Sequence, residues 1–253
     1  MHSSVSIAGL RDRLATLSPA PLSRPHGRPW STRALDQRLG AGLLRNVLHE
    51  VYAASGRQAP IADGLGLALA LGWAERPLVW IRETRGQHET GGLYGGGLSE
   101  WGATPEDLLL VHAPDAARLL AAGEETLRSG AAGVVLMSAW GEAKAFSLTA
   151  SRRLAMAAQQ GRTTAILIRA NARPQPSAAE TRWSVEAAPS RALEARAPGR
   201  PAFKVSLLRS RAGLTTGEWI MEWDRETRSF VEPEASGRLV SVSARRPAGV
   251  RAA

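Results

Sequence analysis

The chain has 253 residues and 44% hydrophobic content, enough for one large core with appendages, and no apolar run of the roughly 18–20 residues that spans a bilayer. It contains no cysteine, which excludes disulfide scaffolds, thiolate zinc sites, iron–sulfur clusters and thiol nucleophiles. The formal net charge of +9 is almost all arginine, since Lys144 and Lys204 are the only lysines; this suits an acidic or nucleic-acid partner, and an arginine-biased genome produces the same balance.

Residues 1–30 read as an appendage. Ile7, Leu10, Leu14 and Leu17 recur at helical spacing, and Pro19, Pro21, Pro25 and Pro29 then prevent a helix from continuing. Such a tethered amphipathic helix needs a body to cover its face, so Leu10, Leu14 and Leu17 are candidate partner-binding residues. Arg11 and Asp12 break any signal-peptide pattern, which leads to the expectation of a cytoplasmic protein with no membrane partner.

Residues 31–236 are expected to form the main domain. Residues 47–52 read as a strand, 53–62 as a polar loop, and Asp63 as the cap of an apolar helix over 64–73. A short strand follows at 78–82, a glycine-rich mobile turn at 91–97 around Tyr94, and a fully buried strand at 108–112 ending in a structural His112. Helix 116–128, strand 134–137, helix 147–160 and strand 163–169 complete the alternation. Strands alternating with helices of this length predict right-handed βαβ units and a mostly parallel sheet covered by helices. Beyond residue 180 the period becomes two, around Trp183, Phe203 and Trp219, which predicts antiparallel strands extending the sheet. Residues 237–253 are basic, lack periodicity and are expected to be a disordered tail.

Catalytic patterns are scarce. A phosphate-binding loop needs Gly-x-x-x-x-Gly-Lys-Ser/Thr between a strand and a helix, because backbone N–H groups cradle the phosphates, lysine neutralises them and the hydroxyl holds Mg²⁺. The slot between strand 47–52 and helix 64–73 has no lysine. Ala53, Gly56, Arg57 and Asp63 are its residues of interest; Pro60 removes a donor, and Asp63 repels anions. His49-Glu50 and His88-Glu89 lack the second histidine of a zinc hydrolase motif, so no metal site is expected. Arg152, Arg153, Arg169 and Arg173, with Arg182, are candidate DNA-facing residues; a solvated helix face and loop is the plainer explanation of them. Trp183, Trp219 and Trp223 sit where strands pack a core.

Certain phrases resemble the RecA family. Ser31-Thr32, Leu35-Asp36 and Leu39–Leu43, followed by Leu48–Tyr52, resemble the approach to RecA's phosphate loop. Trp101-Gly102 with Leu108–Val111, Leu127–Leu136 and Thr164–Arg169 are similar to its later strands, in the same order. The resemblance implies a RecA-like three-layer α/β core with a mostly parallel sheet, extended by C-terminal antiparallel strands. It also places Ser138 where RecA carries its magnesium-binding aspartate and Glu83 where RecA carries its catalytic glutamate. RecA's first DNA loop would be shortened to 140–146, and its second would correspond to 170–177.

Leu48–Val51, Tyr94-Gly95, Leu148–Leu154, Ser177–Trp183, Arg209 with Arg211, and Trp219–Trp223 resemble the ImuA family more closely. That resemblance implies a non-catalytic accessory subunit of SOS-inducible, error-prone translesion synthesis, with no cofactor. Its partners would be RecA, an ImuB-type Y-family-like protein and an error-prone replicative-type polymerase alpha subunit, with DNA as a further candidate. Localisation would be cytoplasmic, at the nucleoid on DNA damage. Three alternatives remain open from the sequence: a SulA-like SOS division inhibitor, an active RecA-like ATPase in which Arg57 binds phosphate, and a single-stranded DNA binder.

Overall fold

The computed structural model describes residues 27–28, 33–39, 42–73, 77–104, 106, 108–190, 199–214 and 216–233. The candidate partner residues Leu10, Leu14 and Leu17 and the basic tail lie outside these.

In chain order the strands are β1 (Gly27–Arg28), β2 (Leu43–Leu44), β3 (Leu48–Ala53), β4 (Leu78–Glu83), β5 (Leu108–Ala113), β6 (Val134–Trp140), β7 (Thr164–Ala170), β8 (Thr181–Ala187), β9 (Ala202–Ser210), β10 (Gly217–Asp224) and β11 (Ser229–Val231). The helices are α1 (Arg33–Leu39), α2 (Ala59–Trp73), α3 (Thr84–Thr90), α4 (Gly95–Glu100), α5 (Ala116–Ser129) and α6 (Leu148–Gly161). Among the described residues, nine strands form one sheet in the order β11-β10-β9-β8-β3-β7-β6-β4-β5. Pairing is parallel from β8 through to β5 and antiparallel from β8 to β11.

The expected architecture is therefore present, with one adjustment: β8 runs parallel to β3, so the antiparallel extension begins at the β8–β9 pair. Gly27–Arg28, inside the stretch read as a linker, pairs with Leu43–Leu44.

Two cores flank the sheet. On one face α5 and α6 bury Leu119, Leu127 and Leu154 against Val135, Met137 and Leu167. Both helices are capped as their sequences dictate: Asp115 accepts from the Arg118 N–H, Ser147 accepts from the Ala150 N–H, and α5 ends on left-handed Gly130. On the other face α2 packs with Leu136, Ile168, Trp183 and Phe203.

Because α2 is apolar on every side, it needs cover all round. The β10–β11 turn supplies part of it: the Arg228 carbonyl lies 3.2 Å from where a Cβ on Gly72 would stand, and Trp223 Nε1 donates to the Trp101 carbonyl at 3.2 Å. Gly66 lets α2 approach β6 and β7 closely, since a Cβ there would stand 2.7 Å from both Ile168 Cδ1 and Leu136 Cδ1.

Several local expectations are corrected. α2 begins at Ala59, not 64, with Pro60 in its first turn, where a missing N–H costs nothing. Asp63 is thus inside the helix and caps nothing. Gly95–Gly97 form part of α4 and are not a mobile turn; the left-handed break is at Gly91, φ 84°. β5 is an edge strand with Leu109 58% exposed, so its unbroken apolar run does not signal burial on both faces. His112 is exposed and hydrogen-bonded to Gln87.

Candidate functional site

In an open parallel sheet, ligands bind beyond the carboxyl ends of the strands. Here that position lies over the ends of β4, β6 and β7, between the N-terminal half of α2 and α3. A cleft of about 270 Å³, open to solvent, remains there, with Asp63, Arg82, Glu83, Thr90, Ser138 and Trp140 among its walls.

The chain between β3 and α2 offers no phosphate cradle. Only Ala54 and Ser55 separate β3 from a 3-10 turn over Gly56–Gln58, which runs directly into α2. A Gly-x-x-x-x-Gly-Lys-Ser/Thr motif begun at Ala53 would put Gln58, Ala59 and Pro60 at its glycine, lysine and hydroxyl positions. Ala59 is buried, and no residue from 53 to 63 has positive φ, so the N–H groups do not converge into an anion nest. Two of its donors are engaged, Ala54 N–H with the Val185 carbonyl and Gln58 N–H with the Ser55 carbonyl, while Gln58 Oε1 accepts from the Ala187 N–H. Arg57 is exposed on this turn.

Internal groups occupy the position instead. The Ser138 hydroxyl donates to Asp63 Oδ1 at 2.7 Å and accepts from Trp80 Nε1 at 2.9 Å. Arg82, 5% exposed at its side chain, pairs with Asp63 Oδ2 at 3.4 Å, donates to Thr90 Oγ1 and the Gly91 carbonyl, and lies over the Trp80 ring. Burial raises the Asp63 carboxyl pKa, and the Ser138 and Arg82 contacts only partly offset it. Arg82 Nε is buried with no hydrogen-bond partner among the described residues.

Glu83, at the position the resemblance gives to a catalytic base, accepts from the Trp140 N–H at 3.0 Å. The Trp140 ring reaches across to the loop: its Cη2 lies 3.4 Å from where a Gly56 Cβ would stand. Serine at 138 and aspartate at 63 therefore form one hydrogen-bonded pair, which sequence spacing did not reveal because the two are 75 residues apart. The available signal was Arg82-Glu83, two charges ending the apolar run of β4, where buried charge requires partners.

A second polar cluster lies on the opposite face, at the ends of β3 and β7. Glu50 Oε2 accepts from Arg182 Nε at 3.0 Å and from the Ser177 hydroxyl at 2.8 Å. Arg169 lies 3.7 Å over the Phe146 ring and donates to the Gly141 carbonyl. Only 2% of Arg169 is exposed, and burial lowers its pKa, so it is a packing residue here and not the DNA-facing one expected. Arg182 is likewise buried against Glu50. Arg153 is exposed but pairs with Glu124 at 2.5 Å. Arg152 and Arg173 are exposed, and Arg209 and Arg211 donate to the Ser177 and Ala178 carbonyls at the edge of the 171–180 loop. Trp183 and Trp223 are buried in the core, with Trp219 packed against it.

Among the described residues no three His, Asp or Glu side chains converge as metal ligands, and no helix is long and apolar enough to cross a membrane.

No family model matches the chain, and no curated protein matches it. Among solved structures, the RadB recombinase aligns with TM-score 0.52 and 15% identity over 81% of this chain and 99% of that one. The fold is therefore that of RecA-like recombinases. With 436 solved chains matching, the fold by itself selects no activity.

Proposed function

We propose that this chain is a non-catalytic accessory protein of DNA-damage-induced, error-prone translesion synthesis, of the kind the ImuA resemblance implies. It uses a RecA-like body to hold a RecA recombinase near an ImuB-type polymerase-like protein and an error-prone replicative-type polymerase. One observation carries the non-catalytic part: Asp63 bonds to both Ser138 and Arg82, and Trp140 to Glu83, where a recombinase would hold triphosphate and magnesium. A metal-binding carboxylate is absent at Ser138, and the Ala54 and Gln58 N–H groups of the loop bond within the protein. Phosphoryl transfer consists almost entirely of positioning and charge neutralisation, so losing those parts removes the reaction.

The test has two arms. Purified protein is expected to show no magnesium-dependent ATP turnover that scales with its concentration; such turnover would reject the non-catalytic reading. Tagged protein from DNA-damaged cells is expected to retain RecA and the polymerase components. Recovery of the division tubulin homologue in their place would favour the SulA-like alternative.

A second reading has its own observation. Arg209 and Arg211 bond to the backbone of the 171–180 loop, Arg173 is exposed within it, and Arg152 is exposed on α6. This rim suits a single-stranded nucleic-acid backbone. Binding of an oligonucleotide that weakens steeply with salt, and weakens further in Arg152→Ala/Arg173→Ala, would support it.

A further inference from the structure

Three arginines are buried among the described residues: Arg82, Arg169 and Arg182. A cation taken out of water is costly unless an opposite charge meets it. Arg82 has Asp63, and Arg182 has Glu50. Arg169, the most buried of the three, makes no ion pair among the described residues. A guanidinium carries five N–H groups. Here the one hydrogen bond they make runs from Nη2 to the Gly141 carbonyl at 3.2 Å. Nε is sealed from solvent with no partner among the described residues. Nη1 makes no bond there either, but it is not sealed.

Strand alternation explains where this charge stands. Tyr52 of β3 lies opposite Arg169 of β7, and Glu50 lies opposite Leu167 two residues back, on the sheet face that α6 covers. At this end of the sheet the first turn of α6 and residues 175–177 enclose a cavity of about 300 Å³, open to solvent. Arg169, Tyr52, Phe146, Ser147, Ala150 and Gln175 are among its walls. The Phe146 ring, with its centroid 3.7 Å from the guanidinium carbon, holds the cation in place. Glu50 is also on the wall, but its Oε2 already accepts from Arg182 and Ser177. Its charge is thus matched by Arg182, and that of Arg169 is left over. α6 has 14 residues, and its amino end adds roughly half a positive charge to the same cavity. The Ser147 hydroxyl caps that end by accepting from the Ala150 N–H, which leaves its own proton to donate.

We propose that this cavity binds one carboxylate group, carried either by a small organic acid or by an acidic side chain of a partner. Arg169 and the helix end together present about one and a half positive charges, which a monoanion balances. A dianion such as phosphate would exceed that charge and meet the Glu50 carboxylate on the opposite wall. Arg169 Nη1 and the Ser147 hydroxyl are the donors left to hold the group, and a charge-assisted bond to Arg169 supplies the counter-charge it lacks. The cavity lies on the other face of the sheet from the Asp63 cleft and requires nothing of the proposed accessory role.

Amide chemical-shift titration of the full chain with sodium acetate and with sodium phosphate, at constant ionic strength, tests it. Acetate is expected to shift amides of residues 146–151 and 175–177 saturably, with a Kd of about 1–10 mM, and phosphate to bind more weakly. Arg169→Met keeps an apolar stem against Phe146 without the charge. It is expected to weaken acetate binding about tenfold or more, and to melt no lower than wild type because an unmatched buried charge is gone. Ala150→Glu, on the cavity wall in the first turn of α6, brings its own carboxylate and is expected to abolish the acetate shifts. A Gly-Glu-Gly peptide with both ends blocked separates the two sources: binding comparable to acetate assigns the site to a partner's side chain, and no binding assigns it to a small free acid. Acetate shifts that stay linear to about 200 mM, that fall elsewhere, or that persist unchanged in Arg169→Met or Ala150→Glu would each overturn the site. Phosphate binding tighter than acetate would overturn the carboxylate assignment.

Discussion

His49 makes stability depend on pH in a way that can be worked out from its partners. It is 1% exposed, on β3 opposite Thr181 of β8. Its Nε2 lies 2.8 Å from the Leu44 carbonyl, which can only accept, so Nε2 carries the proton. Its Nδ1, 2.7 Å from Thr181 Oγ1, then accepts from that hydroxyl, which itself accepts from Trp183 Nε1 at 2.7 Å. Protonating Nδ1 would bury a charge and take from the Thr181 hydroxyl proton its acceptor. Burial holds the His49 pKa at about 4, against an ordinary 6.5, with the Leu44 bond pulling weakly upward. The unfolded chain thus binds this proton more readily than the folded one. The stabilisation is complete above pH 6.5 and is lost as pH falls toward 4. A gap of about 2.5 pH units at about 1.36 kcal/mol each gives roughly 3 kcal/mol across that window. Urea unfolding at steps from pH 7.5 to about 4 measures it, comparing wild type with His49→Gln, which cannot titrate. The stability difference between the two proteins should shift toward the variant by roughly 3 kcal/mol as the pH drops. A difference that stays flat over the range would refute the buried neutral imidazole.

Other outcomes follow from the closed site and the tight core. Burial outweighs Arg82 in setting the Asp63 pKa, so its protonated form is favoured by folding and that contribution is lost as pH rises through the folded pKa. Asp63→Asn is therefore expected to melt at the same or a higher temperature at pH 7; a loss of several kcal/mol would mean the Arg82 pairing dominates. Trp140→Ala is expected to cost about 2–3 kcal/mol in chemical denaturation, since its ring spans the gap to Gly56. The opened site should still not retain a fluorescent ATP analogue, because lysine and a hydroxyl are missing from Ala59 and Pro60. Gly66→Ala is expected to cost about 1–3 kcal/mol by thermal melting, because its methyl would meet Ile168 and Leu136 within 2.7 Å; an unchanged melting temperature would contradict the packing.

Local periodicity and composition were enough to reveal the layered α/β core. The alternation of apolar runs and amphipathic helices from 47 to 169 has no other way to bury both faces of a sheet, and Asp115 and Ser147 cap the helices their own sequence announces. The missing lysine was equally legible, because a phosphate loop is a contiguous motif. The pairing at the ends of β4 and β6 was not. Asp63 and Ser138 are far apart in sequence, and the same carboxylate reads as a helix cap until α2 is seen to start at Ala59. Arg169 reads as a surface cation until the Phe146 ring and the Gly141 carbonyl are found around it. The apolar run of β5 reads as a buried strand, because a chain records how hydrophobic a strand is but not how many neighbours it has. Sequence fixes preferences that act over a few residues, whereas partners of buried charge and positions in a sheet are long-range pairings, settled only when the whole chain packs.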